Sequence, residues 1–346
     1  MTRVTRFEES LKQQGASVFP WRISRGSLNP FQEISSFLQV LRIYRQEKPD
    51  LVHHFALKPV VYGGLAARLC GNIPSVNSLT GLGYAFATSS RRMAFLRPPL
   101  LRILRFVLVG RNAVAIFHNP ADREALVKAF AVPDERAFLI RGSGVNLREF
   151  SLQPEPSGVP VVMLASRMLW EKGVGEFVTA ANHLRAQGVQ ARFVLVGVPD
   201  QERSRASVST AQLRALNESG VVEWWGHRDD MAAALAQANL VCLPSHHEGL
   251  PKVLIEAAAC GRAIIAADVP GCRPIVQSGV NGLLTPVGDP STLAKAIATL
   301  LDDPARRAEM GRRGREIAAS EFGEGLVVEQ TLAVYRKLLP ANSQLA

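Results

Sequence analysis

Short apolar runs with strand character alternate along this chain of 346 residues with longer segments of helical spacing, and that alternation limits the fold more than any other feature. Runs at 50–54, 74–78, 113–117 and 137–141, then at 160–165, 191–196, 221–224, 239–243 and 263–267, read as strands. Helical patterns at 33–47, 59–70, 120–130, 173–187, 229–237, 251–260 and 290–302 fill the intervals. Strand–helix alternation of this kind builds parallel sheets covered by helices on both faces, so the fold class is α/β. The number of strands requires two sheets, and a chain of this length at 47% apolar residues can bury a core around each. The Pro/Gly/Ser-rich stretch from Gly142 to Pro160 is the natural linker, which sets a first domain at 1–150 and a second at 151–322.

One loop in the second half concentrates the chemistry. Glu248-Gly-Leu-Pro-Lys-Val-Leu-Ile-Glu256 places two carboxylates eight positions apart around a helix start. Leu240-Val-Cys-Leu243 reads as a buried strand, Pro244 to Gly249 as the loop at its carboxyl end, and Pro251 as the first residue of the next helix, where a missing N–H costs nothing. Lys252 lies one turn before Glu256 on the same face. A helix N-terminus at the carboxyl edge of a parallel sheet is where open α/β folds bind phosphorylated ligands, because orphan amides and the positive end of the helix dipole face outward there. Taken alone, the two glutamates read more simply as a helix cap and a solvated residue; the segments around them decide otherwise.

Ser166-Arg-Met-Leu-Trp-Glu-Lys-Gly173, the E-x7-E spacing of Glu248 and Glu256, Asp268-Val-Pro-Gly-Cys-Arg273 and Asn281-Gly-Leu-Leu284 together resemble the retaining glycosyltransferases of family 4, whose fold is the two-domain GT-B architecture. The resemblance covers most of residues 159–320. It puts Arg167 and Lys172 in the places of that family's basic diphosphate-binding segment. It implies a donor site of Arg167, Lys172, Glu248, Gly249, Leu250, Lys252 and Glu256, with Arg167, Lys172 and Glu248 serving catalysis. Glu248 would contact donor-sugar hydroxyls, Glu256 the ribose, and Gly249 and Leu250 would supply amides. Breaking the glycosidic bond builds negative charge on the departing diphosphate, which a planar guanidinium, a lysine and a helix N-terminus stabilise. The family does this without a metal or other cofactor, the nucleotide sugar being a co-substrate, and its front-face path requires no protein nucleophile.

In the amino-terminal half, Asp50-Leu-Val-His-His54, Lys58-Pro59, Thr80-Gly-Leu-Gly-Tyr84, His118-Asn-Pro-Ala-Asp122 and Gly142-Ser-Gly-Val-Asn146 are similar to the bacterial subgroup that extends undecaprenyl-diphosphate-linked glycans. That similarity implies transfer of a hexose or N-acetylhexosamine from a UDP-sugar to a lipid-linked acceptor in cell-surface glycan synthesis, on the inner face of the plasma membrane. His53, His54, Lys58, Gly81 and Gly83 become the acceptor-side candidates. The two histidines end a strand, so one should face the interdomain cleft and the other the domain body. Lys58 is the better candidate for the acceptor diphosphate. The fold resemblance also makes residues 323–346 a final helical segment crossing back to the first domain.

Charge supports an anionic partner for the first half. The net +10 is confined to it: residues 1–150 carry +11 and the remainder −1. Between Arg91 and Arg111 six arginines alternate with apolar residues and no acid intervenes, the pattern of a helix lying on an anionic membrane, or of an amphipathic helix packed on its own sheet. Pro98 and Pro99 would split it in two. No zinc spacing, helix-turn-helix pattern or aromatic RNA-binding signature accompanies the charge, which excludes nucleic acid as the favoured partner. No apolar run reaches the roughly 18 residues of a membrane span, and the N-terminus lacks a signal-peptide core, which points to a cytoplasmic, peripheral protein. Cys70, Cys242, Cys260 and Cys272 have no metal-ligand spacing, and Asp229-Asp230 reads as a helix cap rather than a metal pair.

Two departures from the family pattern matter. Pro274 stands where the family has a glutamate after Gly271-Cys-Arg273. The chain also opens in a helical pattern at 3–14, with Gly15 as its C-cap and Ser17-Val-Phe19 as a third strand, so the first domain is expected to lack its initial strand–helix–strand. On that reading the sequence is an incomplete or decayed form. The alternatives to a transferase are then a remnant that binds nucleotide without transfer, or a UDP-sugar epimerase of the same fold.

Overall fold

Among the described residues every pairing between the strands of a sheet is parallel. The computed structural model describes residues 8–23, 29–80, 91–130, 132–200 and 206–339, the side chains of 91–97 excepted. The described residues divide into two compact units: those of Met1–Phe117, Arg123–Leu139 and Thr331–Ala346 in one, and those of His118–Asp122 and Ile140–Gln330 in the other.

The first unit holds β1 (Val52–Phe55), β2 (Ser75–Leu79), β3 (Ala113–Phe117) and β4 (Ala137–Leu139), side by side in that order. β2 and β3 are buried at every position, as strands covered on both faces must be. The helices Leu57–Leu69, Arg91–Leu108 and Pro120–Phe130 make the crossovers. Val60, Leu104, Val107, Leu108, Phe117 and Phe130 fill the core between them and the sheet. Pro30–Glu47 packs on Leu57–Leu69 through Val40, Leu41 and Ala66, and begins at a cap in which Asn29 accepts from the Phe31 N–H ahead of Pro30. Arg91–Leu108 runs unbroken through Pro98 and Pro99, against the expected split. Ser17–Phe19 is irregular backbone and joins no sheet, so the expected third strand is absent there. The helical pattern at 3–14 survives as Glu8–Gln13 with Gly15 at φ +86°, its first residues lying outside those described.

In the second unit β5 (Val161–Ala165), β6 (Arg192–Val196), β7 (Glu223–Gly226), β8 (Leu240–Leu243), β9 (Ala263–Ala267) and β10 (Gly282–Thr285) take the order β10-β9-β8-β5-β6-β7. The chain therefore winds outward from β5 on one side and returns to its other side with β8, the doubly wound arrangement of an open α/β sheet. One core lies on each face. Phe177, Leu184, Leu213 and Ile297 belong to one, and Leu254, Ile255, Ala258 and Phe322 to the other. β10 and the helices Thr210–Glu218 and Pro304–Glu321 are additions to the elements expected from sequence. Among the described residues no helix is long and apolar enough to cross a membrane.

Candidate functional site

Strand order in the second sheet reverses between β5 and β8, so the loops leaving the carboxyl ends of these two strands flank the crevice in which such sheets hold ligands. After β5 the chain passes through a 3-10 turn, Trp170–Lys172, and reaches Gly173 in the left-handed region at φ +77° before the helix Val174–Ala186. A Cβ on Gly173 would stand 2.3 Å from the carbonyl oxygen of Pro244, at the start of the loop after β8. Glycine is therefore required twice over, for its φ and for backbone contact between the two loops. That contact brings residues 76 positions apart together: Lys172 Nζ lies 2.6 Å from Glu248 Oε1, and the side chains are only 14% and 11% exposed.

Four further contacts hold the Glu248 loop. His246 N–H donates to the Glu171 carbonyl at 2.9 Å, and its ring Nε2 lies 2.7 Å from Glu176 Oε1. Asn119 Nδ2 donates to the Gly249 carbonyl at 2.8 Å. Gly271, in the loop after β9, lies so close that a Cβ there would stand 2.2 Å from the Glu248 carbonyl oxygen. Loops from three adjacent strands thus meet backbone to backbone around the Glu248 loop, at Pro244, His246 and Glu248.

Pro251 is the N-cap of the next helix, which starts one residue later than expected and spans Lys252–Ala259. Glu256 lies in its second turn, buried, with Lys252 Nζ at 3.3 Å from Oε1. Burial holds the Glu256 carboxyl above the usual carboxylate range; Lys252 opposes the shift and Glu149 adds to it. Arg167 is half-exposed and pairs with Asp200 Oδ2 at 2.5 Å, Asp200 being fixed in turn by Ser207 Oγ, 3.0 Å from its N–H. The structure therefore joins Lys172 to Glu248 and Lys252 to Glu256, and gives Arg167 a partner in the loop beyond β6 that the motifs did not name. A nest of backbone, two cations and a helix N-terminus at a switch point is chemically suited to a diphosphate, with carboxylates beside it for hydroxyl groups.

The acceptor-side candidates fare differently. His54 is a core residue: Nε2 meets Tyr44 Oη at 2.8 Å and Nδ1 meets Asn77 Oδ1 at 2.8 Å, and burial lowers its pKa. With both ring nitrogens engaged inside the first unit it is not placed to touch an acceptor, so this assignment is corrected to a structural one. His53 is half-buried, its ring between Tyr335 Oη and Ser78 Oγ, each at 2.7 Å, and stacked on Phe55. Lys58 lies in the first turn of its helix and is ion-paired with both oxygens of Glu33, at 2.8 and 2.9 Å, while Tyr62 donates to the same carboxylate. Gly81 and Gly83 lie outside the described residues. Asp230 does stand at the N-cap of Met231–Ala236, yet its carboxylate makes no cap bond and pairs with Arg228 at 2.6 and 2.7 Å. Pro274 falls in a run of turns at 270–275. Cys242, Cys260 and Cys272 are buried free thiols.

Glu176, Asp200 and His246 lie outside the quoted motifs, while Asn119 and Gly271 stand inside two of them, at 118–122 and 268–273, without a role assigned there. Only Asn119 carried a signal, since Asn before Pro is a helix-start pattern; the others act through partners far away in sequence.

Comparison with known proteins adds the following. Residues 159–303 match the model for glycosyl transferases group 1, and residues 1–118 match that for glycosyl transferase 4-like domains. The N,N'-diacetylbacillosaminyl-diphospho-undecaprenol alpha-1,3-N-acetylgalactosaminyltransferase of Campylobacter jejuni is 27% identical over 96% of this chain and 89% of its own length. The alpha-maltose-1-phosphate synthase of Mycolicibacterium smegmatis is 35% identical over 66% of this chain, which spans 57% of that protein. Among solved structures, Anabaena HepE in complex with UDP-glucose superposes with a TM-score of 0.77 at 22% identity, over 96% of this chain and 89% of that one.

Proposed function

Because the chain belongs to the group 1, 4-like glycosyl transferases and has their α/β GT-B architecture, we propose that it transfers a hexose or N-acetylhexosamine from a UDP-sugar, with retention of configuration, to a lipid-linked glycan. The observation that carries this reading is the Lys172–Glu248 pair at the switch point of the second sheet. The donor diphosphate lies against Lys172, Arg167 and the amides leading into Lys252–Ala259. Charge that builds on the leaving phosphate then meets groups already oriented, and the transition state gains more than the ground state. Glu248, its far side held by the lysine, takes the sugar hydroxyls, and Glu256 takes the ribose. No protein nucleophile and no metal enter the scheme; the leaving phosphate assists removal of the acceptor proton. The UDP-bound Anabaena neighbour supports the choice of base, and the Campylobacter relative's undecaprenol-linked substrate supports the acceptor class. An acceptor that stays in the bilayer brings the enzyme to an anionic surface, for which the positive first half is suited.

Calorimetric titration of UDP tests the donor site. Charge-assisted contacts to phosphate contribute about 1.5–3 kcal/mol, so Arg167→Ala should weaken UDP binding about tenfold or more. Equal affinities for the two forms would remove Arg167 from the site.

A further inference from the structure

His118-Asn-Pro-Ala-Asp122 belongs by sequence to the first half, yet residues 118–122 pack as part of the second unit. Asn119 is completely buried and every polar atom of its side chain is engaged. Its Oδ1 accepts from the Asp122 N–H at 2.8 Å, which caps the helix Pro120–Phe130. Its Nδ2 donates at 2.8 Å both to Asp122 Oδ2 and to the carbonyl of Gly249, 130 residues away. Asp122 is half-buried, and burial holds its carboxyl above the usual carboxylate range, with the hydrogen bond from Asn119 opposing that shift.

A cap needs only the oxygen of this side chain, so the bond from nitrogen to Gly249 has to be explained separately. A trans peptide is planar, and the described residues contain no cis bond; fixing the Gly249 carbonyl toward Asn119 therefore aims the Leu250 N–H to the opposite side. Gly271 crowds the same carbonyl, since a Cβ there would stand 2.7 Å from the Gly249 oxygen, and Leu250 packs on Gly142, whose Cβ would lie 2.9 Å from Leu250 Cδ2. The peptide between the sugar-side glutamate and the helix start is thus held at its oxygen and on either flank, and Asn119 is the one hydrogen-bond donor to that oxygen among the described contacts.

We propose that Asn119 is a positioning residue of the donor site, turning the Gly249–Leu250 peptide so that its N–H faces the donor diphosphate. The inference rests on the placement of the donor proposed above. Two variants separate its roles: Asn119→Asp keeps the capping oxygen and loses the donor, and Asn119→Ala loses both without adding charge. Each is titrated with UDP and with uridine, which lacks the phosphates, beside Arg167→Ala. Both Asn119 variants should bind UDP about tenfold more weakly and bind uridine as the parent does. Unchanged UDP affinity in Asn119→Ala would overturn the proposal, as would a loss confined to the charged Asp variant or an equal loss for uridine, which would mean general collapse of the unit. Indifference of Arg167→Ala to UDP sinks the donor placement itself, whereas weakening there with Asn119→Ala intact sinks only the role of Asn119.

Discussion

Burial raises the pKa of Glu256 because a carboxylate loses hydration inside the helix packing and Lys252 only partly replaces it. Below its ordinary value of 4.5 the side chain is protonated whether the chain is folded or not, so a neutral isostere changes little. Above that value the unfolded chain releases the proton more readily than the folded one, and the charge becomes a cost to folding that grows until pH passes the raised value. Glu256→Gln should therefore match the parent in thermal stability at pH 4 and exceed it at pH 7, while its UDP affinity falls; a variant equally stable at both pH values would mean that Lys252 fully compensates the charge. Glu248 is assigned the opposite balance. Glu248→Gln should depress single-turnover rate more than UDP affinity, and the reverse result would exchange the two glutamates. The strand, loop and helix that carry these glutamates were legible, because a short apolar run followed by a proline marks a strand end and a helix start. The role of His54 was not, since whether a strand-end histidine faces ligand or core depends on Tyr44 and Asn77, which reach it from other elements.

Glycines decide how the elements around the site meet. An added methyl on Gly271 would lie 2.2 Å from the Glu248 carbonyl, and the obstacle is backbone, which cannot swing aside as a side chain tip can. Gly271→Ala should push the Glu248 loop out of register and reduce turnover at least tenfold, and should lower stability by about 1–3 kcal/mol in urea unfolding. Full activity would mean that the loop after β9 yields instead. The same property explains which elements were legible. β3 and β9 are continuous apolar runs and were located to the residue. Pro304–Glu321 was missed because the face it buries is Arg307, Met310, Gly311, Gly314 and Ala318. Its tightest contact is Gly311 on the carbonyl of Gly261, where a Cβ would stand at 2.0 Å, so close backbone packing replaces the large apolar side chains on which periodicity depends. β10 was missed for a related reason: Gly282-Leu-Leu-Thr285 is short, opens on a glycine that nests against the Ile264 carbonyl, and is only half buried at its centre.

Across the whole molecule charge is divided unequally, +11 in residues 1–150 against −1 in the rest, so any anionic surface attracts one half of the chain only. Arg91–Leu108 shows how this charge is presented. Leu104, Val107 and Leu108 are buried against the first unit's core, which realises the packed-helix reading, while Arg102, Arg105 and Phe106 remain exposed on the other side. The two readings of the segment are therefore compatible, with one face packed on the sheet and the other left exposed. Arg68 stacks on Phe106 at 4.7 Å, adding a further cation to the outer face. Each basic residue near an anionic leaflet contributes about 1 kcal/mol, and that attraction decays over a Debye length of about 8 Å at physiological salt. Co-sedimentation with vesicles containing phosphatidylglycerol should thus fall steeply as salt rises and fall again in the Arg102→Glu, Arg105→Glu double variant, whereas UDP affinity, which the proposed donor site assigns to the second unit, should not move. Vesicle binding indifferent to both changes would leave the helix a packing element alone and would require the proposed lipid-linked acceptor to be reached by another surface.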